Sequence, residues 1–267
     1  MNPLEAKFAR YVELDLQART QIDGLLRSEG RLVPAGADLI REGEPIHFVK
    51  LVIDGWGCRY KLLEDGRRQV VAFLLPGDLC NPDALAAEAM DHSIGALNDM
   101  HCALIAPEVF DRACLRSHCL RQAMAFDACA MLGMQREWTL NLAARPALAR
   151  IGALLCELHY RLAALGLAEA GRFATPLTQV TLAEATGMTP VHVNRVVQDL
   201  RGRGLLHWHG RHITLPDPDR LAQLCGFSPR YLHMNRFAPG TFARNPDLAA
   251  KTPRVPPGTE RKIAGAI

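Results

Sequence analysis

Short apolar runs separated by glycine and proline occupy the chain from about residue 31 to residue 107. Within this stretch, Glu-Asp-Gly at 64–66 is typical of the turn of a β-hairpin. The glycines that bound runs of strand length are Gly36, Gly43, Gly55, Gly66 and Gly77. This pattern predicts a small all-β sandwich or barrel.

The pattern changes after Pro107, because no proline occurs from 108 to 145. Apolar side chains recur there at steps of four, seven, three and four residues: Leu120, Met124, Met131, Met134 and Trp138. With Asp127 as the polar interruption, this spacing is close to the 3.5-residue repeat of a helix seam. A helix of about 25 residues reaches about 37 Å, more than so small a barrel covers. We therefore predict a seam with a second copy of the chain, and packing on its own barrel is the alternative.

A second helical region is predicted to start at Pro146, since proline suits the first position of a helix, and to stop at Gly166. The stretch 169–176 then serves as a linker. Thr181 is predicted to cap the next short helix, with Glu184 three residues later completing a capping box.

A two-helix corner follows. Gly187 permits a sharp turn, Thr189 supplies the next N-cap, and Pro190 takes the first helical position, where its missing N–H costs nothing. Apolar residues at steps of three and four form the predicted buried side of the second helix: Val193, Val196, Val197 and Leu200. The other side carries short polar groups, an amide and one arginine, where an ordinary solvated helix would carry mixed charges.

This outward side suits the major groove of DNA. Arginine can bind guanine O6 and N7 with two hydrogen bonds, and asparagine or glutamine can do the same for adenine. The methyls of Val191 can contact a thymine methyl. The predicted DNA-binding residues are Thr189, Pro190, Val191, His192, Asn194, Arg195, Gln198 and Arg211.

The stretch 202–215 predicts a β-hairpin wing beside this helix. Its basic side chains could lie along phosphates: Arg201, Arg203, Arg211, His207, His209 and His212. A metal site is the alternative for the histidines, but the hairpin alternation and the lack of carboxylate or thiol neighbours argue against it. Two capped helices also occur in folds that bind no nucleic acid, so the corner and the basic wing together are more specific than either part.

Composition limits the class of protein. The chain has 267 residues, which corresponds to one or two domains, and its net charge of +3 is too small to prove a nucleic-acid partner. No apolar run approaches the length of about 18 residues that a membrane span needs. The first residues carry Glu5, Glu13 and Asp15 and do not resemble a signal peptide.

The eight cysteines are scattered without a Cys-x-x-Cys pair, which argues against a disulfide framework and a zinc ribbon. A reducing cytoplasm is the expected location. Residues 231–267 hold five prolines and few large apolar side chains, so we predict a disordered tail there.

The turns Gly-Glu-Pro at 43–45 and Pro-Gly-Asp at 76–78, the long helix and the corner at 177–206 together resemble the Crp/Fnr family of bacterial transcription regulators. The resemblance covers about residues 15–225, and the corner is its most specific part. It implies an α+β chain that acts as a homodimer on a palindromic operator in double-stranded DNA, in response to an unknown signal. It also implies contact with RNA polymerase and no enzymatic activity.

By the same resemblance, an N-terminal β-roll of the cyclic-nucleotide-binding jelly-roll type forms the sensory domain over 15–110. A long dimerisation helix is expected over 111–145, and a C-terminal winged helix-turn-helix over 146–230. The recognition helix departs from the family pattern in one respect. Arg195 matches the family's arginine, but Val191 stands where a glutamate is common and cannot accept a hydrogen bond from cytosine. The usual half-site is therefore not assumed.

The sensory domain departs further. Family members that bind cyclic nucleotides have Gly-Glu shortly after Pro-Gly-Asp and Arg-Ser/Thr-Ala later, but here Asn81-Pro82 and His92-Ser93-Ile94 stand at these places. Without that arginine a phosphate would lack a counter-charge, so cyclic AMP is disfavoured. No cysteine precedes Cys58, which disfavours an N-terminal iron–sulfur cluster. We predict no cofactor and no metal.

Scattered thiols are usually inert packing, but four of them remain candidates for redox sensing: Cys80, Cys102, Cys114 and Cys119. Two other functions stay open. A metal-dependent enzyme of the cupin type needs a His-x-His pair, which His47, His92 and His101 do not provide. A ligand-sensing module that does not bind DNA is the other, and the intact corner with its arginine argues against it.

Overall fold

A computed structural model describes residues 2–82 and 86–234 of the chain. Its helices are α1 (Pro3–Phe8), α2 (Leu16–Leu26), α3 (Pro107–Arg116), α4 (His118–Ala144), α5 (Ala147–Ala164), α6 (Gln179–Thr186), α7 (Pro190–Gly202) and α8 (Pro218–Cys225), followed by a 3₁₀ helix (Pro229–Leu232). Its strands are β1 (Glu29–Val33), β2 (Asp38–Ile40), β3 (Val49–Asp54), β4 (Gly57–Leu62), β5 (Arg68–Leu74), β6 (Ser93–Ala96), β7 (Met100–Ile105), β8 (Ala168–Glu169), β9 (Arg172–Ala174), β10 (His207–His209) and β11 (His212–Thr214).

The predicted β-roll is confirmed as two antiparallel sheets. One has the strand order β1-β7-β3 and the other has the order β2-β6-β4-β5. The predicted hairpin turn joins β4 to β5, and Gly66 adopts a φ of +81° there, a conformation that glycine tolerates without strain. Val52, Ile94 and Met100 are completely buried in one apolar cluster that draws residues from both sheets. Burial of these side chains holds the roll together.

The helix predicted over 111–145 is not continuous. Ser117 adopts extended backbone angles, φ −127° and ψ 116°, so α3 ends before it and α4 begins after it. The Ser117 hydroxyl accepts a hydrogen bond from the Leu120 N–H at 3.2 Å and caps α4. The prediction of a single long helix is therefore wrong, although α4 alone has 27 residues and is about 40 Å long.

The apolar stripe of α4 packs on its own chain. Leu120 and Trp138 belong to the main core, and Met124 and Met134 are packed against it. This is the alternative arrangement for Leu120, Met124, Met134 and Trp138, while Met131 is half-buried. A seam of this stripe with a second copy stays a prediction. Asp127 does not interrupt the buried side but lies within it, because it has an oppositely charged partner there.

A buried ionic cluster connects the β-roll to the C-terminal half. The Lys7 ammonium of α1 lies 2.8 Å from a carboxylate oxygen of Asp78 and 2.6 Å from one of Asp127. The Arg161 guanidinium of α5 lies 2.6 Å from Asp78 and 3.4 Å from Glu157. Because these five residues come from α1, the loop after β5, α4 and α5, the cluster fixes α5 against the β-roll.

The stretch 169–176, predicted as a linker, is mostly a β-hairpin. Ala170, with φ +48°, and Gly171, with φ +79°, form its turn between β8 and β9. These strands extend the wing into a four-stranded sheet of order β10-β11-β9-β8. The wing is therefore supported by the segment that precedes the corner.

The end of the described chain crosses α4. Tyr231 donates a hydrogen bond from its hydroxyl to Glu157 at 2.7 Å, and Leu232 and Met234 are buried. The tail predicted from residue 231 therefore starts too early, and its residues 235–267 lie outside the described part of the chain. Among the described residues, no helix has the length and apolar character needed to cross a membrane.

Candidate nucleic-acid interface

The first helix of the corner begins three residues earlier than predicted. The Thr178 hydroxyl accepts a hydrogen bond from the Thr181 N–H at 3.0 Å, and the two threonine hydroxyls lie 2.9 Å apart. Thr178 is therefore the N-cap of α6, and the predicted capping box of Thr181 and Glu184 is wrong. The sequence did not reveal this start, because the residues just before Thr181 were interpreted as lying outside the helix. Gln179 and Val180 in fact belong to the first turn of α6. Gly187 ends α6 with φ +64°, as the predicted sharp turn requires.

The second helix begins as predicted. The Thr189 hydroxyl accepts a hydrogen bond from the His192 N–H at 3.2 Å, and Pro190 is the first helical residue. The predicted apolar side is buried in the core at all four positions: Val193, Val196, Val197 and Leu200. This packing fixes the rotation of α7 about its axis and thereby determines which side chains face outward.

Every residue predicted to contact DNA lies on the surface: Thr189, Pro190, Val191, His192, Asn194, Arg195, Gln198 and Arg211. Val191 is 65% exposed. Asn194 donates a hydrogen bond from Nδ2 to Oε1 of Gln179 at 3.1 Å. Gln179, the first residue of α6, was not predicted from the sequence as part of this surface. Contact of these residues with DNA stays a prediction.

The wing presents three histidines on one face. His209 pairs directly with His212 across the hairpin, and His207 lies two residues from His209, so all three point to the same side of the sheet. They are exposed, whereas Ile213 on the opposite face is buried. No three potential metal ligands converge anywhere in the described part of the chain.

Two of the arginines that were predicted to lie along phosphates already have partners within the chain. Both lie at the end of α7, just before the wing. Arg201 donates to the carbonyl oxygen of Trp208, and Arg203 lies 2.7 Å from a carboxylate oxygen of Asp199. Arg201 thus holds the wing against α7. Arg211 lies at the exposed turn of the hairpin.

The β4–β5 hairpin of the roll lies beside the corner. A groove of about 450 Å³ runs between them, with Leu63, Arg67 and Arg68 on one wall and Thr189 and Pro190 on the other. Glu184 of α6 lies 4.0 Å from the Arg68 guanidinium, and burial raises the pKa of Glu184 while Arg68 opposes this rise. The β-roll is therefore in direct contact with the helix-turn-helix.

A second cavity, of about 640 Å³, lies between the roll and α4. Its two cations are engaged by the chain. Arg59 donates to the carbonyl oxygen of Leu79 at 2.8 Å, and Lys61 donates to the carbonyl oxygen of Asp91 at 2.5 Å. A hydrogen bond from His92 lowers the pKa of the Asp91 carboxyl, and both residues line the cavity.

The surroundings of two candidate redox thiols, Cys80 and Cys114, favour the protonated form. A hydrogen bond with Cys102 and burial raise the pKa of Cys80 well above its usual value. Burial also raises the pKa of Cys114 to about 11. Because the thiolate is the reactive form, these surroundings disfavour reaction with oxidants.

Comparison with known proteins covers both halves of the chain. Residues 31–117 match the cyclic nucleotide-binding domain and residues 149–224 match the Crp-like helix-turn-helix domain. The transcriptional activator protein FnrL of Cereibacter sphaeroides is 30% identical over 200 residues, which are 73% of this chain and 80% of that protein. The fumarate and nitrate reduction regulatory protein of Escherichia coli K12 is 25% identical over 206 residues, 77% of this chain and 82% of that protein.

Among solved structures, FixK2 from Bradyrhizobium japonicum is similar with a TM-score of 0.65 and 27% identity, over 74% of this chain and 96% of that chain. The β-roll, the winged corner and these relatives agree. The chain belongs to the Crp/Fnr family of DNA-binding transcription regulators.

Proposed function

We propose that the protein binds a palindromic operator as a homodimer, with one recognition helix α7 in each of two major grooves about one helical turn apart. The observation that carries this proposal is the outward side of α7. It combines Asn194, Arg195 and an exposed Val191 on a helix whose rotation is fixed by a buried apolar side. An ordinary solvated helix would carry side chains of mixed charge at these outward positions.

A second face of α4 supports the homodimer. Residues at alternating steps of four and three form an exposed stripe: Ala125, Cys129, Leu132, Arg136, Thr139 and Ala143. This is the spacing of a two-helix seam, in which each helix contacts the other every 3.5 residues. Leu132 is 59% exposed in the single chain. We therefore assign the seam to this stripe.

Selection of bound sites from a random duplex library tests the proposal directly. We expect a two-fold symmetric site whose binding weakens steeply as salt concentration rises, because phosphate contacts release counterions. Arg195→Ala should weaken binding by about 1–3 kcal/mol and relax base preference at one position in each half-site. The matched control is Arg112→Ala on α3, which removes the same charge away from the corner. Unchanged affinity and base preference in Arg195→Ala would show that α7 does not read the operator.

We further propose that cyclic AMP is not the signal, since Arg59 and Lys61 are engaged by the chain and Asp91 would repel a phosphate. Saturable binding of cyclic AMP by isothermal titration would contradict this. The name of the Cereibacter sphaeroides relative describes an activator. By analogy we propose that this chain contacts RNA polymerase on DNA and acts as a regulator without enzymatic activity, which transcription with purified polymerase would test.

A further inference from the structure

The hydrogen bond between Asn194 and Gln179 joins the two helices of the corner. Asn194 lies in the second turn of α7, beside Arg195, and Gln179 is the first residue of α6. The donor is Nδ2 of Asn194 and the acceptor is Oε1 of Gln179, at 3.1 Å. This contact fixes which end of the asparagine amide is turned toward α6.

The helices that carry the two residues are held firmly. Thr178 and Thr189 cap the starts of α6 and α7. The Arg150 guanidinium donates to the carbonyl oxygen of Thr186 at 2.8 Å and holds the end of α6. Because Val193 and Val197 are completely buried, α7 cannot rotate without loss of core packing. The position of Asn194 relative to Gln179 is therefore set by the fold.

The chemistry of an amide determines what this arrangement can read. Asparagine has one carbonyl oxygen and two N–H donors. A bidentate contact with adenine uses the oxygen, which accepts from N6, and one N–H, which donates to N7. The second N–H is not needed by the base. In this corner Gln179 accepts from Nδ2 of Asn194. When the bonded N–H is the one turned away from Oδ1, the oxygen and the N–H beside it are left for a base.

Only one base offers the complementary pair. In the major groove adenine presents a donor beside an acceptor, guanine presents two acceptors, cytosine presents a donor, and thymine presents an acceptor and a methyl. We propose that Asn194 reads an adenine next to the base read by Arg195, and that Gln179 is the positioning residue that orients its amide. This inference rests on the proposed function and names the base that the operator must contain.

Site selection with a short series of variants tests the inference. The full-length protein should select an adenine at one position of each half-site, and Asn194→Ala should lose about tenfold of that preference while the base read by Arg195 is retained. Gln179→Met, whose thioether is only a weak acceptor, should lose most of the same preference. Gln179→Glu can only accept, so it should keep the adenine preference while its added charge weakens binding to all sequences.

The Gln179→Glu arm also tests the direction of the amide contact, because Gln179 donates in a reversed pair and a glutamate could not replace that donor. Gln223→Met on α8 makes the same chemical change at another exposed position and should leave the selected site unchanged. Thermal melting of each variant checks that the corner is folded. If Gln179→Met melts early, Asn194→Ala and Gln179→Glu decide the question.

Two failures are distinguishable. A selected palindrome whose guanine depends on Arg195, but with no adenine that depends on Asn194, would overturn this inference and leave the proposed function intact. A protein that selects no duplex at all would overturn the proposed function, and this inference with it.

Discussion

At the residue scale, Lys7 is placed where its loss should be costly. Its ammonium lies between Asp78 and Asp127, and all three side chains are buried. Lys7→Met should reduce the free energy of unfolding by about 3–5 kcal/mol, because Asp127 loses its buried counter-charge and Asp78 keeps only that of Arg161. Urea denaturation measures this change. Lys61→Met is the matched control, since Lys61 pairs with Glu42 at the surface, and it should cost no more than about 1 kcal/mol.

His159 predicts a pH dependence of stability. It is buried on α5 beside the ring of Phe173, and burial lowers its pKa to about 4. The unfolded chain takes up a proton near pH 6.5 but the native protein does not, so stability falls as the pH drops toward 4. Relative to His159→Leu, the wild type should lose about 2 kcal/mol of unfolding free energy between pH 7 and pH 5. Parallel pH profiles of the two proteins in urea would contradict this.

Sequence periodicity located the outward residues of α7 but not their contacts. The steps of three and four between Val193, Val196 and Val197 determine which side of the helix is buried, so the exposure of Arg195 could be predicted. The contact of Asn194 with Gln179 could not, because it depends on how α6 and α7 cross over a separation of 15 residues.

At the element scale, Gly133 marks the crossing of α4 by the 3₁₀ helix. A Cβ at Gly133 would lie 2.5 Å from the carbonyl oxygen of Tyr231, too close for any side chain. Gly133→Ala should therefore push the 3₁₀ helix away and cost about 1–3 kcal/mol. Limited proteolysis should then cut near Tyr231 more rapidly than in the wild type.

Gly24→Ala provides the contrast, since Gly24 also lies in a helix but has open space where an added methyl group would lie. Alanine there should stabilise the protein by about 0.5–1 kcal/mol through its higher helix propensity. Equal effects of the two substitutions on thermal melting would show that the 3₁₀ helix does not pack on α4 in solution.

The elements that the sequence predicted well are those bounded by glycine turns or by helix-capping residues. Glycine turns located the β4–β5 hairpin, and Thr189 with Pro190 located the start of α7. The break at Ser117 and the short hairpin at 168–174 were missed, because each depends on a few extended residues that packing selects. Local pattern carries little information about such segments.

In the whole molecule, the β-roll contacts the rest of the described chain at several places, of which two are ionic. The ionic cluster holds α5 to the roll through Asp78 and Arg161, and the β4–β5 hairpin touches the corner through Arg68 and Glu184. A change in the roll can therefore reach α7 through packed elements of the same chain. The sequence indicated both domains but not these contacts, since partners 83 residues apart, as Asp78 and Arg161 are, leave no periodic pattern.

The exposed stripe of α4 predicts how two copies of the chain assemble. Leu132 lies at the middle of the stripe, and a charge there would be buried against its copy in a two-helix seam. Leu132→Glu should convert the dimer to monomers in analytical ultracentrifugation and greatly weaken binding to a palindromic duplex, because each half-site then binds alone. Leu115→Glu is the matched control, since Leu115 on α3 is 65% exposed and lies outside the stripe. A Leu132→Glu protein that stays dimeric while Leu115→Glu dissociates would place the seam on α3 instead.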